Sequence, residues 1–250
     1  MKRIILAFEF LTSFPIGRKE AVLPHELGRS MAYFPFVGLV QGAILVIADS
    51  ILGHVLPTGL TSVLILGILI LTNNGLHLDG FVDTVDGLAG GKTKQERLSI
   101  MRDHRIGALG AAGLVFLLLV KYEAIASFSG DARRAAIFLF PIIGRWAMVP
   151  MAYWSDYARE DEGQGKAFTR ITIKTLSIAT FLAFVFSTLL IGIHAITMLF
   201  IMAVSVWLIT WSFKRKIGGV TGDVFGFQSE VAEALFLALM LAMANHQGVL

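Results

Sequence analysis

The sequence predicts an all-α, polytopic transmembrane helical bundle of about seven spans with its N-terminus in the cytoplasm, and three observations carry that expectation. Of the 250 residues, 56% are hydrophobic and only 16% charged, with a mean hydropathy of +0.74. A soluble domain carries about a quarter charged residues, so this chain has too few to coat a soluble surface. Apolar stretches close to the roughly 20 residues needed to cross a bilayer recur along the chain. Lys and Arg, finally, segregate between alternate connections.

The predicted spans are 37–56, 60–78, 107–128, 135–154, 175–192, 195–212 and 230–244. The second runs into Asn73, Asn74 and His77, so its far end is expected to leave the lipid early. The last is short and carries Glu230 and Glu233. Ahead of the first span, Lys2 and Arg3 resemble the start of a signal peptide, but Glu9 interrupts the apolar run and no small-residue cleavage site follows. The segment reads instead as an interfacial or half-buried helix. With seven spans, 17 of the 21 Lys and Arg residues fall on one side and only Arg133 and Arg134 on the other. The positive-inside rule then places the N-terminus and every long polar connection in the cytoplasm. Lys121 and Arg145 fall inside spans; Lys121 is expected to snorkel. Arg145 needs an anionic partner, either substrate phosphate or a structural pair with Asp49 or Glu123.

No internal repeat is visible, and the longest polar stretch, 79–106, is too short for a soluble domain. Residues 1–250 therefore read as one membrane domain. The net charge of +3 and pI near 9.3 fit basic loops beside anionic lipid, or an anionic substrate, and require no nucleic-acid partner. The absence of cysteine excludes disulfides, thiolate zinc sites and cysteine nucleophiles. No serine-hydrolase, P-loop or zinc-protease pattern is present.

The chemistry concentrates in residues 73–110. Asp79 and Asp83 are four apart and Asp83 and Asp86 three apart, spacings that put all three on one helix face. No Lys or Arg lies between Arg29 and Lys92 to neutralise them. A hard divalent cation such as Mg²⁺, which takes carboxylate and phosphate oxygens and keeps several waters, relieves that repulsion. A solvated acidic face is the alternative, but Phe81, Val82, Val85 and Leu88 make the opposite face apolar. Gly75, Gly80, Gly87, Gly90 and Gly91 surround the cluster, serving either close approach to a ligand or tight helix packing. Arg102 and Arg105 suit a phosphate clamp, with positive-inside anchoring as the alternative. Asp103 between them is a candidate fourth metal ligand, since that loop should fold back against the acidic helix. Asp223, in the glycine-rich run at 218–226, is a helix cap or a further ligand. His77 is a candidate base only if its turn is irregular.

These residues resemble the cobalamin synthase family, adenosylcobinamide-GDP ribazoletransferase. The resemblance rests on residues 75–80 (GLHLDG) and 83–87 (DTVDG), joined in order by FLTSFPIG at 10–17, SMAYFPFVG at 30–38, IMRDHRIGALG at 100–110, Gly144-Arg145 and GGVTGD at 218–223. It covers nearly the whole chain and is weakest over 155–215. It implies a Mg²⁺-dependent enzyme of the bacterial inner membrane, acting on its cytoplasmic face. Such an enzyme joins adenosylcobinamide-GDP to α-ribazole or its 5′-phosphate and releases GMP. Asp79, Asp83 and Asp86 would be catalytic and, with Asp103 and Asp223, metal-binding; Arg102, Arg105 and Arg145 would hold phosphate. Homo-oligomers are compatible with this reading. CDP-alcohol phosphotransferases and intramembrane prenyltransferases share the Asp-rich chemistry but not the motif spacing. A cation-coupled transporter would be expected to show repeats and midplane charges.

Overall fold

In the computed structural model, which describes residues 2–14, 23–103, 105–159, 164–169 and 171–246, the chain is helical throughout, with one isolated parallel bridge between Tyr157 and Val220. Parts of the N-terminal motif at 10–17, and His104 and Arg170, lie outside the described residues. The helices are α1 (Lys2–Leu11), α2 (Pro24–Ser30), α3 (Phe34–Leu52), α4 (Thr58–Thr72), α5 (Leu76–Gly90), α6 (Lys94–Ile100), α7 (Ala108–Ser127), α8 (Gly130–Trp154), α9 (Ile173–Ile191), α10 (His194–Ile217) and α11 (Gly222–His246). Among the described residues, six helical stretches are long and apolar enough to cross a membrane, and the α4–α5 pair makes a seventh if it counts as one span.

Helix α8 is the axis of the bundle: 94% of its apolar window is buried, against 22% for α9 and 28% for α7. The perimeter helices turn Phe116, Phe181, Phe200, Trp207 and Trp211 outward, as expected where lipid is the solvent. Helix α3 lies close along α8. A Cβ on Gly38 would sit 2.6 Å from the Pro141 carbonyl oxygen, and Gly42, one turn on, faces Phe138 in the same way. Small residues one turn apart let helix backbones meet without a side chain between them. At its far end α3 is tied by Asp49, whose carboxylate accepts from the Arg133 guanidinium at 2.7 Å. Helix α1 buries Leu6, Ala7, Phe8 and Leu11 against the bundle, consistent with a half-buried first segment.

Three expectations are corrected. The segment 60–78 is not one helix: Asn74 and Gly75 take positive φ (52° and 69°), and α5 leaves α4 at 92°. The polar Asn73-Asn74-Gly75 turn stops the apolar helix, as its composition implied, but the chain bends there and starts a second helix at once. The last helix is not short, running from Gly222 to His246. Lys121 does not snorkel. It is 2% exposed, and its ammonium donates to Glu230 and, at 2.6 Å, to Glu233. The two acids that made the last span look doubtful are the partners of a buried lysine.

Candidate active site and metal-binding face

The chain reversal at Gly75 sets the position of the acidic helix. Gly75 donates its amide to the Asn73 side chain at 3.0 Å, and α5 then packs between α7 and α11 through Phe81, Val82 and Phe227. The rings of Phe81 and Phe227 stack at 5.4 Å. The approach of α5 to α11 is closest at Gly80, where a Cβ would lie 2.7 Å from the Asp223 carbonyl oxygen, and at Gly226, where it would lie 2.9 Å from that of His77. Gly80 thus serves packing, and Gly87 does too, facing Arg97 and Met101 of the returning segment.

That packing leaves the acids on the open side of α5. Asp79 is exposed, and Asp83 and Asp86 are half-buried. Asp79 lines two adjoining spaces: a cavity of about 950 Å³ bounded also by Phe10, Ser13, Asn73 and Ile106, and one of about 270 Å³ shared with His77, Arg159 and Asp223. Asp223, in the first turn of α11, accepts through Oδ2 from Arg159 at 3.0 Å and from the Thr221 hydroxyl at 3.2 Å. Asp79 and Asp223 are sequence-distant carboxylates facing one cavity.

The other expected residues are disposed differently. The loop does fold back on the acidic helix, but at Asp86, whose two oxygens accept the amides of Gly107 and Gly110, each at 2.7 Å. Asp86 therefore ties α5 to the amino end of α7. Arg105 closes on Asp103, donating at 2.7 Å to Oδ2 with further bonds from Nε; the pairing raises the Arg105 pKa. Arg102 is exposed and lines a third cleft, about 440 Å³, with Lys94, Ser99 and Arg159. Arg145 is fully buried. Its guanidinium donates to Gln41 at 3.1 Å and to Ser229 and Glu233 at 2.7 Å each. Its anionic partner is Glu233, not Asp49 or Glu123, and it touches none of these spaces. His77 is 2% exposed, and neither ring nitrogen has a hydrogen-bond partner among the described residues.

Among the described residues, no three His, Asp or Glu side chains converge into a ready-made metal cage. The donors nonetheless suit Mg²⁺, which is commonly held by one or two carboxylates and completed by water and substrate phosphate oxygens. Asp79 and Asp223 line one cavity, and Asp83 stands one turn from Asp79 on α5; carboxylates so disposed could supply part of such an oxygen set. Arg159 was missed in the sequence because it lies in the stretch of weakest resemblance and counted there only as a positive-inside charge. Only tertiary structure brings it beside Asp223.

A family model described as cobalamin-5-phosphate synthase matches residues 3–241 of the chain. The adenosylcobinamide-GDP ribazoletransferase of Geotalea daltonii is 35% identical over 246 residues, covering 98% of this chain and 99% of the relative. The proteins of the same description from Acetivibrio thermocellus and Pseudomonas savastanoi pv. phaseolicola are 33% and 35% identical. They cover 96% of this chain and 97% of their own lengths in both cases. No solved structure matches the chain.

Proposed function

The chain belongs to the cobalamin-5-phosphate synthase family, and from that premise we propose that it joins adenosylcobinamide-GDP to α-ribazole or its 5′-phosphate and releases GMP. The product is adenosylcobalamin or its phosphate. The observation that carries the reading at the level of the site is Asp79, placed where two cavities adjoin and facing Asp223 across one of them. We place the site on the cytoplasmic face of a bacterial inner membrane, with the N-terminus on that side, from the segregation of Lys and Arg.

In the reaction, a ribose hydroxyl of α-ribazole attacks the phosphorus that bears the aminopropanol arm. The new O–P bond forms as the bond to the GMP oxygen breaks, and the hydroxyl proton passes to the departing GMP phosphate or to water. The nucleophile comes from substrate, so no covalent intermediate with the chain is needed. Asp79 and Asp83 are the residues that would hold Mg²⁺, with Asp223 opposite. The ion would supply charge stabilisation at the phosphate oxygens. The rest is positioning, which dominates phosphoryl transfer. Asp86 sets the register of α5 against α7, since both its oxygens are occupied by amides. Arg102 presents a cation at the cleft beyond Asp223. Asp103 and Arg105 neutralise each other.

The test supplies purified membranes with adenosylcobinamide-GDP, α-ribazole and Mg²⁺ and follows GMP. Release that a chelator abolishes and Asp83→Asn strongly reduces is expected. No release, or release indifferent to both treatments, overturns the proposal.

A further inference from the structure

We propose that Arg159 binds the phosphate of the leaving nucleotide, at the junction between the acidic cavity and the basic cleft beyond it; this rests on the transferase reading above.

Arg159 lines both spaces. On one side it is the cation of the 270 Å³ cavity that holds Asp79 and Asp223. On the other it joins Lys94 and Arg102 in the 440 Å³ cleft, whose lining among the described residues holds three cations and no carboxylate. Arg159 is the one residue that the two described linings share, so its guanidinium is within reach of a phosphate in either space.

The side chain is only partly used. Nη2 donates to Asp223 at 3.0 Å, while Nε is buried and has no hydrogen-bond partner among the described residues. A buried N–H left without a partner costs free energy. The guanidinium fork matches the paired oxygens of a phosphate, so an anion bound here satisfies the donor that Asp223 leaves over.

The position is built, not incidental. Ala158 donates its amide to Val220 at 2.9 Å, and Val220 donates to Asp156 at 3.0 Å. These bonds fix the segment ahead of Arg159 to the chain entering α11, so Arg159 and Asp223 keep their register. Across the cleft, Arg97 donates to Lys216 at 3.0 Å and to Gly91 at 2.9 Å, which holds α6, and with it Lys94, in place.

Charge assigns the two sides of Asp79. Among the described residues Asp79 is the only charged side chain lining the 950 Å³ cavity, the rest being apolar or neutral polar groups; it suits the less charged reactant, α-ribazole. The basic cleft suits the group that departs as a nucleoside monophosphate carrying nearly two negative charges.

The experiment measures GMP binding to the purified full-length protein in detergent, alongside steady-state kinetics. Arg159→Ala is expected to weaken GMP affinity by roughly tenfold to a hundredfold, the loss of one charge-assisted contact. Arg159→Lys, which keeps the charge but not the fork, should fall between. The KM for adenosylcobinamide-GDP should rise with GMP dissociation constant while that for α-ribazole stays near wild type, a split that a general packing defect would not produce. GMP affinity unchanged in both variants, or a wild type that does not bind GMP, overturns the inference. Wild-type GMP release together with unchanged affinity in the variants sinks the Arg159 role and leaves the transferase reading standing. GMP binding lost in Arg159→Ala, in a wild type that releases no GMP from the substrate pair, does the reverse.

Discussion

Asp86 accepts the backbone amide of Gly107 at 2.7 Å, and its other oxygen accepts that of Gly110 at the same distance. A carboxylate from one helix thereby occupies the amino end of another, where amides lack intrahelical partners and the helix dipole favours negative charge. The third acid of the DxxxDxxD face is thus bonded differently from the first, which faces open cavities.

Asp86→Ala should therefore act on stability first. Losing two charge-assisted bonds to part-buried amides costs on the order of 2 kcal/mol, seen as a lower melting temperature in detergent. Asp79→Asn, at an exposed position facing the cavities, should leave the melting temperature near wild type while removing turnover. Asp86→Ala with unchanged melting and no turnover would reassign Asp86 to the chemistry.

Glu233 accepts from both Lys121 at 2.6 Å and Arg145 at 2.7 Å, inside a bundle where all three side chains are at most 2% exposed. Glu230 balances the second positive charge. Removing one member strands a buried charge, which costs roughly 3 to 5 kcal/mol. Glu233→Ala should fail to accumulate in membranes or melt far below wild type. Adding Lys121→Met to Glu233→Ala removes one charge of each sign, leaves Arg145 and Glu230, and should recover much of that loss. A double variant no more stable than the single one would show that the quartet is not held by charge balance.

The apolar helices were legible because lipid leaves only composition and length to decide them, and α7, α9 and α10 fall within a few residues of expectation except where polar ends extend them. The one-faced spacing of Asp79, Asp83 and Asp86 was legible for the same reason: helical period is a local property. What was not legible is pairing across the chain. Nothing local distinguishes the carboxylate that ties down α7 from the one that faces the cavities. Nor does sequence show that Arg145 and Lys121, alone in their spans, neutralise Glu230 and Glu233 near the end of the chain. Arg159 shows the same gap from the other side. Its neighbours carry no motif, and its placement beside Asp223 depends on the Tyr157–Val220 bridge between segments far apart in the chain.

Helix α6 offers a pH-dependent prediction outside the spans. Glu96 accepts the amides of Lys92 at 2.7 Å and Thr93 at 3.1 Å, while its own amide donates to the Thr93 hydroxyl at 3.2 Å. The Lys92 amide, then that of Thr93, holds the Glu96 carboxyl below its ordinary 4.5. A depressed folded pKa contributes stability that is present above the ordinary value and is lost as pH falls through the folded one. Hydrogen exchange of α6 amides should therefore lose protection below that range in the wild type. Glu96→Gln should show weaker protection at neutral pH and little further loss on acidification. An acid-sensitive α6 in Glu96→Gln would place the titrating group elsewhere.

Gly80 and Gly67 separate packing from flexibility. A Cβ at Gly80 would lie 2.7 Å from the Asp223 carbonyl oxygen and 2.9 Å from its Cα, both backbone atoms, whereas a Cβ at Gly67 meets nothing within 4 Å. Replacing glycine by alanine inside a helix is intrinsically favourable by about 1 kcal/mol. Gly67→Ala should hold or raise the melting temperature and keep full GMP release. Gly80→Ala must push α5 from α11, moving Asp79 away from Asp223, so turnover should fall by on the order of a hundredfold, as a displacement near 1 Å can produce. Because the same displacement widens the acidic cavity, the loss should persist at saturating substrate. Gly80→Ala with wild-type kcat would show that the separation of Asp79 and Asp223 does not govern the rate.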